Sequence, residues 1–320
     1  MKTVLIIAGI LLVVGALLVG VGWVLLQKYP TEMNTVKDSV YEYHVSELPT
    51  QINITTIDSR VEIRPTEGDV WKVACVDKEK LYHTVDLADG ILTVKQIDKR
   101  QWYEHIGILG SFQNLSVIVY LPEQVYENLA IHSTSGSIKV KEGFTFSNAS
   151  LQNTSGSISC ASRVAGALNV QNTSGSIRIS GSVGGDLIAK NTSGSINVSG
   201  GVNGKLEVRN SSGSIEITNA TPASASIKNT SGGIDLINVV CGETCEVINV
   251  SGSIELDHCD AASFDLKTTS GGIRGSVLTD KIFDCHSTSG SVHTPGNGND
   301  GTFKARTTSG GIKITIAIAE

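Results

Sequence analysis

The chain has 320 residues, with 34 glycines, 6 prolines, 5% aromatic and 18% charged residues, and a net charge of −6. So mild an acidic balance, with no aromatic and basic stretch, excludes a general nucleic-acid binder. Abundant Gly, Ser, Thr, Asn and Ile with few aromatics predicts many short strands and tight turns rather than helices.

From Val4 to Leu26 no residue is charged or strongly polar, a length that suffices to cross a bilayer as a helix. Trp23 and Tyr29 flank its outer end, and "GWVLLQKYP" offers no small-x-small cleavage site, so residues 1–27 read as an uncleaved signal-anchor. Lys2 and the amino terminus on one side against Lys28 on the other favour N-in. The expected location is then the cell membrane, single-pass, with residues 28–320 outside the cytoplasm. Residues 28–50, with Pro30 and scattered charges, read as a juxtamembrane tether. Residues 51–128 read as a degenerate β-strand cap, with "TIDSRVEIRP" as an imperfect unit, "DVWKVACV" and "GILTVKQI" as strands, and "NLSVIVYLP" leading onward. Between them "QWYEHIGILGSFQ" (Gln101–Gln113) is an aromatic, apolar loop. It reads as part of the cap, with membrane or ligand contact as the second reading.

From residue 129 to 320 one phrase recurs. A Ser-Gly pair, a small residue and then Ile or Val occur ten times, on Gly136, Gly156, Gly175, Gly194, Gly213, Gly232, Gly252, Gly271, Gly290 and Gly310. The gaps are nineteen or twenty residues throughout. Apolar residues sit two and four positions after the glycine (Ile177 and Ile179) and seven and five before it (Leu168 and Val170). Spacing of two within each arm is that of a strand with one buried face. One such unit cannot cover its own apolar face, but stacked units make a continuous core. The expected fold is therefore all-β: a parallel β-solenoid of about ten coils, roughly 45–50 Å long at a strand spacing of about 4.8 Å, preceded by one transmembrane helix. The corner glycine suits a left-handed or strained backbone. Asn153, Asn172, Asn191, Asn210, Asn229 and Asn249, each three before a glycine, predict a hydrogen-bonded ladder of stacked side chains. That ladder explains "NTS" without an attached sugar.

"LSVIVYLPEQVYENLAIHSTSGSIKV" (Leu115–Val140), followed by iterated "NTSGSI" coils, resembles the bacterial "putative adhesin" family of β-strand-repeat proteins, some members of which belong to cell-envelope stress systems. The resemblance covers roughly residues 50–320. It implies a parallel β-helix on the outside of a bacterium, usually membrane-anchored, and it implies no catalytic residues.

The outward columns carry the candidate chemistry. Glu216, Asp235 and Glu255 fall on successive coils, about 5 Å apart. They are a candidate calcium site, against the favoured reading of a solvated acidic stripe relieved by lysines. Lys190, Arg209, Lys228, Lys267 and Arg306 form a basic column four before the glycine, with Glu207, Glu246, Asp265 and Asp284 two positions earlier. Same-face charge pairing is the favoured reading, and a stripe for anionic wall polymers or lipid headgroups is the functional one. Cys241-x3-Cys245, His258-Cys259 and Cys285-His286 have the residue types of a zinc site, but Cys245 and Cys285 fall on inward columns. Cys241 and Cys259 lie in neighbouring returns as a candidate disulfide. No Ser or Thr has a recognisable His and Asp partnership by spacing. "GIKITIAIAE" ends the chain and reads as an uncovered last strand, open to self-association. These features predict a non-catalytic, membrane-anchored extracytoplasmic solenoid that presents a binding or scaffolding surface to envelope components or partner proteins. A β-helix enzyme acting on carbohydrate polymers, with the acidic stripe as its site, is the alternative.

Overall fold

The computed structural model describes residues 15, 36–44, 48–66, 70–101 and 115–317. The Val4–Leu26 segment, apart from Gly15, and most of the Gln101–Gln113 loop lie outside them. Among the described residues no helix is long and apolar enough to cross a membrane. The chain builds an all-β parallel solenoid of about nine turns between its ten corners.

The regular part runs from β8 (Val125–Ser135) and β9 (Ile138–Val140), reached after β1 (Val36–His44), β2 (Gln51–Thr56), β3 (Arg60–Pro65), β4 (Val70–Lys78), β5 (Leu81–Ala88), β6 (Ile91–Asp98) and β7 (Ser116–Leu121). It continues through β10 (Thr145–Ser155), β11 (Ile158–Cys160), β12 (Arg163–Val164), β13 (Leu168–Ser174), β14 (Ile177–Ile179), β15 (Leu187–Ser193), β16 (Ile196–Val198), β17 (Lys205–Ser212), β18 (Ile215–Ala220) and β19 (Ser224–Ser231). The longer β20 (Ile234–Ser251) and β21 (Ile254–Ser270) follow, then β22 (Ile273–Val277), β23 (Ile282–Ser289), β24 (Val292–His293), β25 (Thr302–Ser309) and β26 (Ile312–Ile316). In the regular coils a strand such as β13 meets the corner and a shorter strand such as β14 leaves it, and in three successive coils a valine in the return (Val164, Val183, Val202) completes the wall by isolated bridges. Like stacks on like: Leu168 on Leu187 on Leu206, and Ile177 on Ile196 on Ile215. All of these are buried.

The corner is held by backbone and side chain together. Gly175 has φ +118°, and a β-carbon on it would stand 2.4 Å from the carbonyl oxygen of Gly156, one coil below. Nine of the ten corner glycines have φ between +113° and +157°. Gly290 is the exception to the left-handed expectation, although a β-carbon there would still meet the Gly310 carbonyl at 2.2 Å. The ladder also differs from stacked side-chain pairing. Each Asn donates its Nδ2–H to the carbonyl of the corner glycine one coil below, Asn172 to Gly156, Asn191 to Gly175 and Asn210 to Gly194, all at 2.8 Å. Where Asn is lacking, a hydroxyl does the same: Thr268 donates to Gly252 at 3.0 Å and Thr307 to Gly271 at 2.9 Å. A buried carbonyl left without a donor is costly, so the column needs a donor on every rung.

At the N-terminal end the parallel sheets turn antiparallel. β2 and β3 form a coil directly beneath β8 and β9. Below it lie β6, extended antiparallel by β5, and β7, extended antiparallel by β4 and then β1. The tether expected over residues 28–50 therefore contains a paired strand, and residues 51–128 contribute one complete coil as well as a cap. Trp71 is fully buried there.

At the other end the rungs do not follow chain order. β25 pairs with β21, and β23 pairs on the far side of β25. Likewise β26 lies between β22 and β24. The chain skips one rung after β22 and fills it last. Buried Lys281 marks the skip, its ammonium 2.6 Å from Asp260 and 2.7 Å from the Asp300 carbonyl. The expectation of an uncovered C-terminal strand is corrected for its first two residues: Val292 and His293 cover Ile312 and Lys313. Among the described residues Ile314–Ile316 pair with β22 alone, and β23 with β24 forms the terminal edge.

Gly194→Ala, with φ +117° and a carbonyl 2.4 Å from the new β-carbon, is expected to cost about 3 kcal/mol or more. Asn191→Ala, which strands the Gly175 carbonyl, is expected to cost about 1–3 kcal/mol. Gly201→Ala, with open space around it, is expected to stay within about 0.5 kcal/mol. Urea unfolding of the three variants measures this order.

Candidate binding faces and a buried polar relay

The outer face of the strands that enter the corner carries two charged columns. Gln171, Lys190, Arg209 and Lys228 stack in register, Ile248 interrupts, and Lys267, Arg306 and His286 complete the line. Each of the five expected cations has a carboxylate neighbour. Lys228 lies 3.1 Å from Glu246, Lys267 3.0 Å from Asp265 and Arg306 2.6 Å from Asp284. Arg209 and Lys190 share one partner, Glu207, at 2.9 and 3.5 Å. Exposed pairs of this kind contribute about 0–1 kcal/mol each. Beside them a shallow groove of about 380 Å³ is lined by His132, Gln152, Gln171, Lys190, Arg209, the exposed Thr positions of the corner and the buried Asn beside them. It offers amides, hydroxyls and two cations to a ligand lying along the rod.

The strands that leave the corner carry the acidic column. Asn197, Glu216, Asp235, Glu255 and Arg274 stack in register, flanking a groove of about 650 Å³. Asn197 donates to Glu216 at 2.9 Å, and Arg274 hydrogen-bonds Glu255. An amide and a guanidinium, rather than lysines, relieve the two ends of the stripe. Burial, then the charges of Glu255 and Glu216, pushes the Asp235 carboxyl above its ordinary value of 3.8. Among the described residues no three His, Cys, Asp or Glu side chains are gathered closely enough to hold a metal ion. Of the three carboxylates expected as a calcium site, Glu216 and Glu255 each have a hydrogen-bonding neighbour in their own column.

All six cysteines are free thiols. The pairing of Cys241 with Cys259 is not formed. Cys259 directs its S–H to the carbonyl of Leu236 at 3.3 Å, while Cys241 packs against Cys245. Burial pushes the Cys160 thiol up to about 12 and that of Cys259 up to about 11. Protonated, buried thiols are poor metal ligands and poor nucleophiles.

One constellation escaped the sequence reading. Ser59 Oγ lies 2.9 Å from His83 Nε2, and His83 Nδ1 lies 2.5 Å from Asp77 Oδ1. A hydroxyl, an imidazole and a carboxylate in series are the parts of a nucleophilic triad. Here Ser59 is 0% and His83 2% exposed, so no substrate reaches them. Ser59 stands in the corner column: its carbonyl is 2.4 Å from where a Gly136 β-carbon would be. The relay closes that column under the cap. No spacing signals it, since Ser59 belongs to a coil and its partners to the β4–β5 hairpin.

The family model for Toastrack DUF4097 matches residues 50–240 and 227–319. No curated protein sequence matches the chain. Among solved structures, the chain is similar to a "putative adhesin" from Bacteroides fragilis, at 13% identity and TM-score 0.35, over 88% of this chain and 97% of that one. A "putative lipid binding protein" from Parabacteroides distasonis matches at 14% identity and TM-score 0.35, over 87% and 97%. A "putative cell adhesion protein" from Clostridium sporogenes matches at 9% identity and TM-score 0.22, over 88% and 100%.

Because the Asp235 carboxyl is raised in the folded state, the native protein binds its proton more tightly than the unfolded chain. The penalty is full above the raised value and vanishes below 3.8. Asp235→Asn is expected to raise the melting temperature at neutral pH, the gain fading as pH falls through that window, with no shift on adding calcium. A thiol titration of the unfolded chain is expected to count all 6 cysteines.

Proposed function

We propose that this chain, which belongs to the Toastrack DUF4097 family, is a non-catalytic rod anchored in the cell membrane by Val4–Leu26. Its solenoid stands outside the cytoplasm and presents the face of β13, β15 and β17 to anionic polymers of the cell envelope. The observation that carries the reading is the pair of cations lining the smaller groove on a single carboxylate. Lys190 and Arg209 both lean on Glu207, so two positive charges meet one negative charge and one is in excess. The groove runs across successive coils, which suits an extended ligand better than a compact one. Rigid in-register columns keep its hydrogen-bonding groups at the fixed strand spacing of about 4.8 Å.

The carbohydrate-cleaving alternative has one observation in its favour, a carboxyl with a raised pKa beside two other carboxylates in the larger groove. A general acid needs such a shift. Measured turnover on wall polymers, abolished by Asp235→Asn, is what that reading requires.

Cosedimentation of the detergent-solubilised full chain with purified cell wall tests the binding reading. Retention at low salt that is lost at high salt is expected. At about 1 kcal/mol per cation near an anionic surface, Lys190→Ala with Arg209→Ala is expected to weaken it about tenfold or more. A chain that stays in the supernatant at low salt overturns the proposal.

A further inference from the structure

The two ends of the rod are built differently. The N-terminal end is covered by the chain's own antiparallel strands, β1, β4 and β5. The far end stops on a parallel edge. Among the described residues β23 pairs with β25 alone, and its other side meets no strand. Ile282 N–H points inward to the Gly301 carbonyl, so the alternation of a strand turns the main-chain groups of Phe283, Cys285 and Ser287 outward. The Phe283 N–H is taken by the Asn297 side chain at 2.9 Å, leaving those of Cys285 and Ser287 toward the open side. Phe283 continues the aromatic stack of Phe264 and Phe303, with ring centroids 5.5 Å from Phe303, yet it and Cys285 are only half-buried. Ile282 and Val292 beside them are 49% and 40% exposed. Core columns that end half-covered at an unpaired edge invite another strand.

We propose that the free edge of β23 pairs antiparallel with β23 of a second copy of this chain, about a two-fold axis through Cys285. The proposal is independent of the envelope-binding reading. A head-to-tail stack lacks a second open parallel edge, because the opposite end is capped, so the contact must be isologous. A two-fold axis perpendicular to the sheet keeps inner side chains on the inner face, and Phe283 and Cys285 of both copies then close one continuous core. Register is set by charge. Centred on Cys285, the pairing puts Asp284 opposite His286 of the second copy, twice, and Phe283 opposite its Ser287. A shift that centres on Asp284 sets two carboxylates face to face, which is unfavourable. A shift that centres on His286 opposes like rings and leaves Asp284 facing Thr288.

Sedimentation velocity of the full chain in a non-ionic detergent tests the pairing. A concentration-dependent dimer is expected. His286→Asp, which opposes carboxylates, is expected to weaken it at least about tenfold, and His286→Lys to preserve it. Ser287→Pro removes an outward N–H at a position where an edge strand tolerates proline, together with the hydroxyl that donates to the Gly310 carbonyl. It is expected to abolish the dimer, whereas Ser287→Ala, which loses the hydroxyl but keeps the N–H, is expected to retain it, with an unchanged circular dichroism spectrum reporting a folded rod in both. Oxidation by copper–phenanthroline in air, which takes the two electrons, is expected to lock the dimer through Cys285, and Cys285→Ser to prevent that lock without dissociating the dimer. A monomer at every concentration reached overturns the proposal. So does a dimer indifferent to both His286→Asp and Ser287→Pro, which would trace association to another part of the chain.

Discussion

Each corner glycine has the carbonyl oxygen of the glycine beneath it where a β-carbon would otherwise be, at 2.1 to 2.5 Å in every repeat after the first. That contact sets the distance between coils at the corner and, with it, the register of everything else. The carbonyl is part-buried and takes a side-chain donor from the rung above, an Asn in the middle of the rod and a Thr or Ser at its far end. Glycine and its donor are therefore one device split between neighbouring coils. A substitution in either half is felt by the other, which is why the phrase recurs with so little variation while the outward positions change freely.

That division explains what could be read from the amino acids. The corner, the inward columns and the parallel stacking follow from strict period-two spacing around Gly136 to Gly310, because those positions have one packing solution. Asn219, Asn238 and His258 take positive φ at a second turn, and this column lacks a sequence signal because it spans only three coils and does not keep one residue type. The antiparallel cap was legible only as loose strands, since the pairing of β4 with both β1 and β7 joins segments that share no repeat. The rung order at the far end was hidden for the same reason. Phe264, Phe283 and Phe303 carry the same column mark, and nothing in that mark says which lies between the other two.

The charged faces show the limit of column reasoning about sites. In-register stacking was correct for Glu216, Asp235 and Glu255, yet a column also supplies its own hydrogen-bonding partners, the Asn197 amide and the Arg274 guanidinium. Along the basic column the partner carboxylates sit two residues earlier on the same strands, so most of its charge is spent locally. What distinguishes one stretch from the next is stoichiometry: Lys190 and Arg209 have one carboxylate between them, whereas Lys228 and Lys267 have one each. Buried Ser59, His83 and Asp77 make the complementary point. A set of atoms arranged as for catalysis serves as a plug when its place in the fold admits no substrate.

The skipped rung has a consequence for how the molecule is made. During synthesis β23 and β24 leave the ribosome before β25 and β26, yet β25 and β26 occupy the place between them and the rest of the rod. The growing chain cannot simply wind forward; its terminal coil must remain unseated, or dock one level too low and let go, until the last segment arrives. A product truncated before Thr302 is then not a shorter rod with a clean end. It is missing an interior course of the wall, with Lys281 deprived of the Asp300 carbonyl.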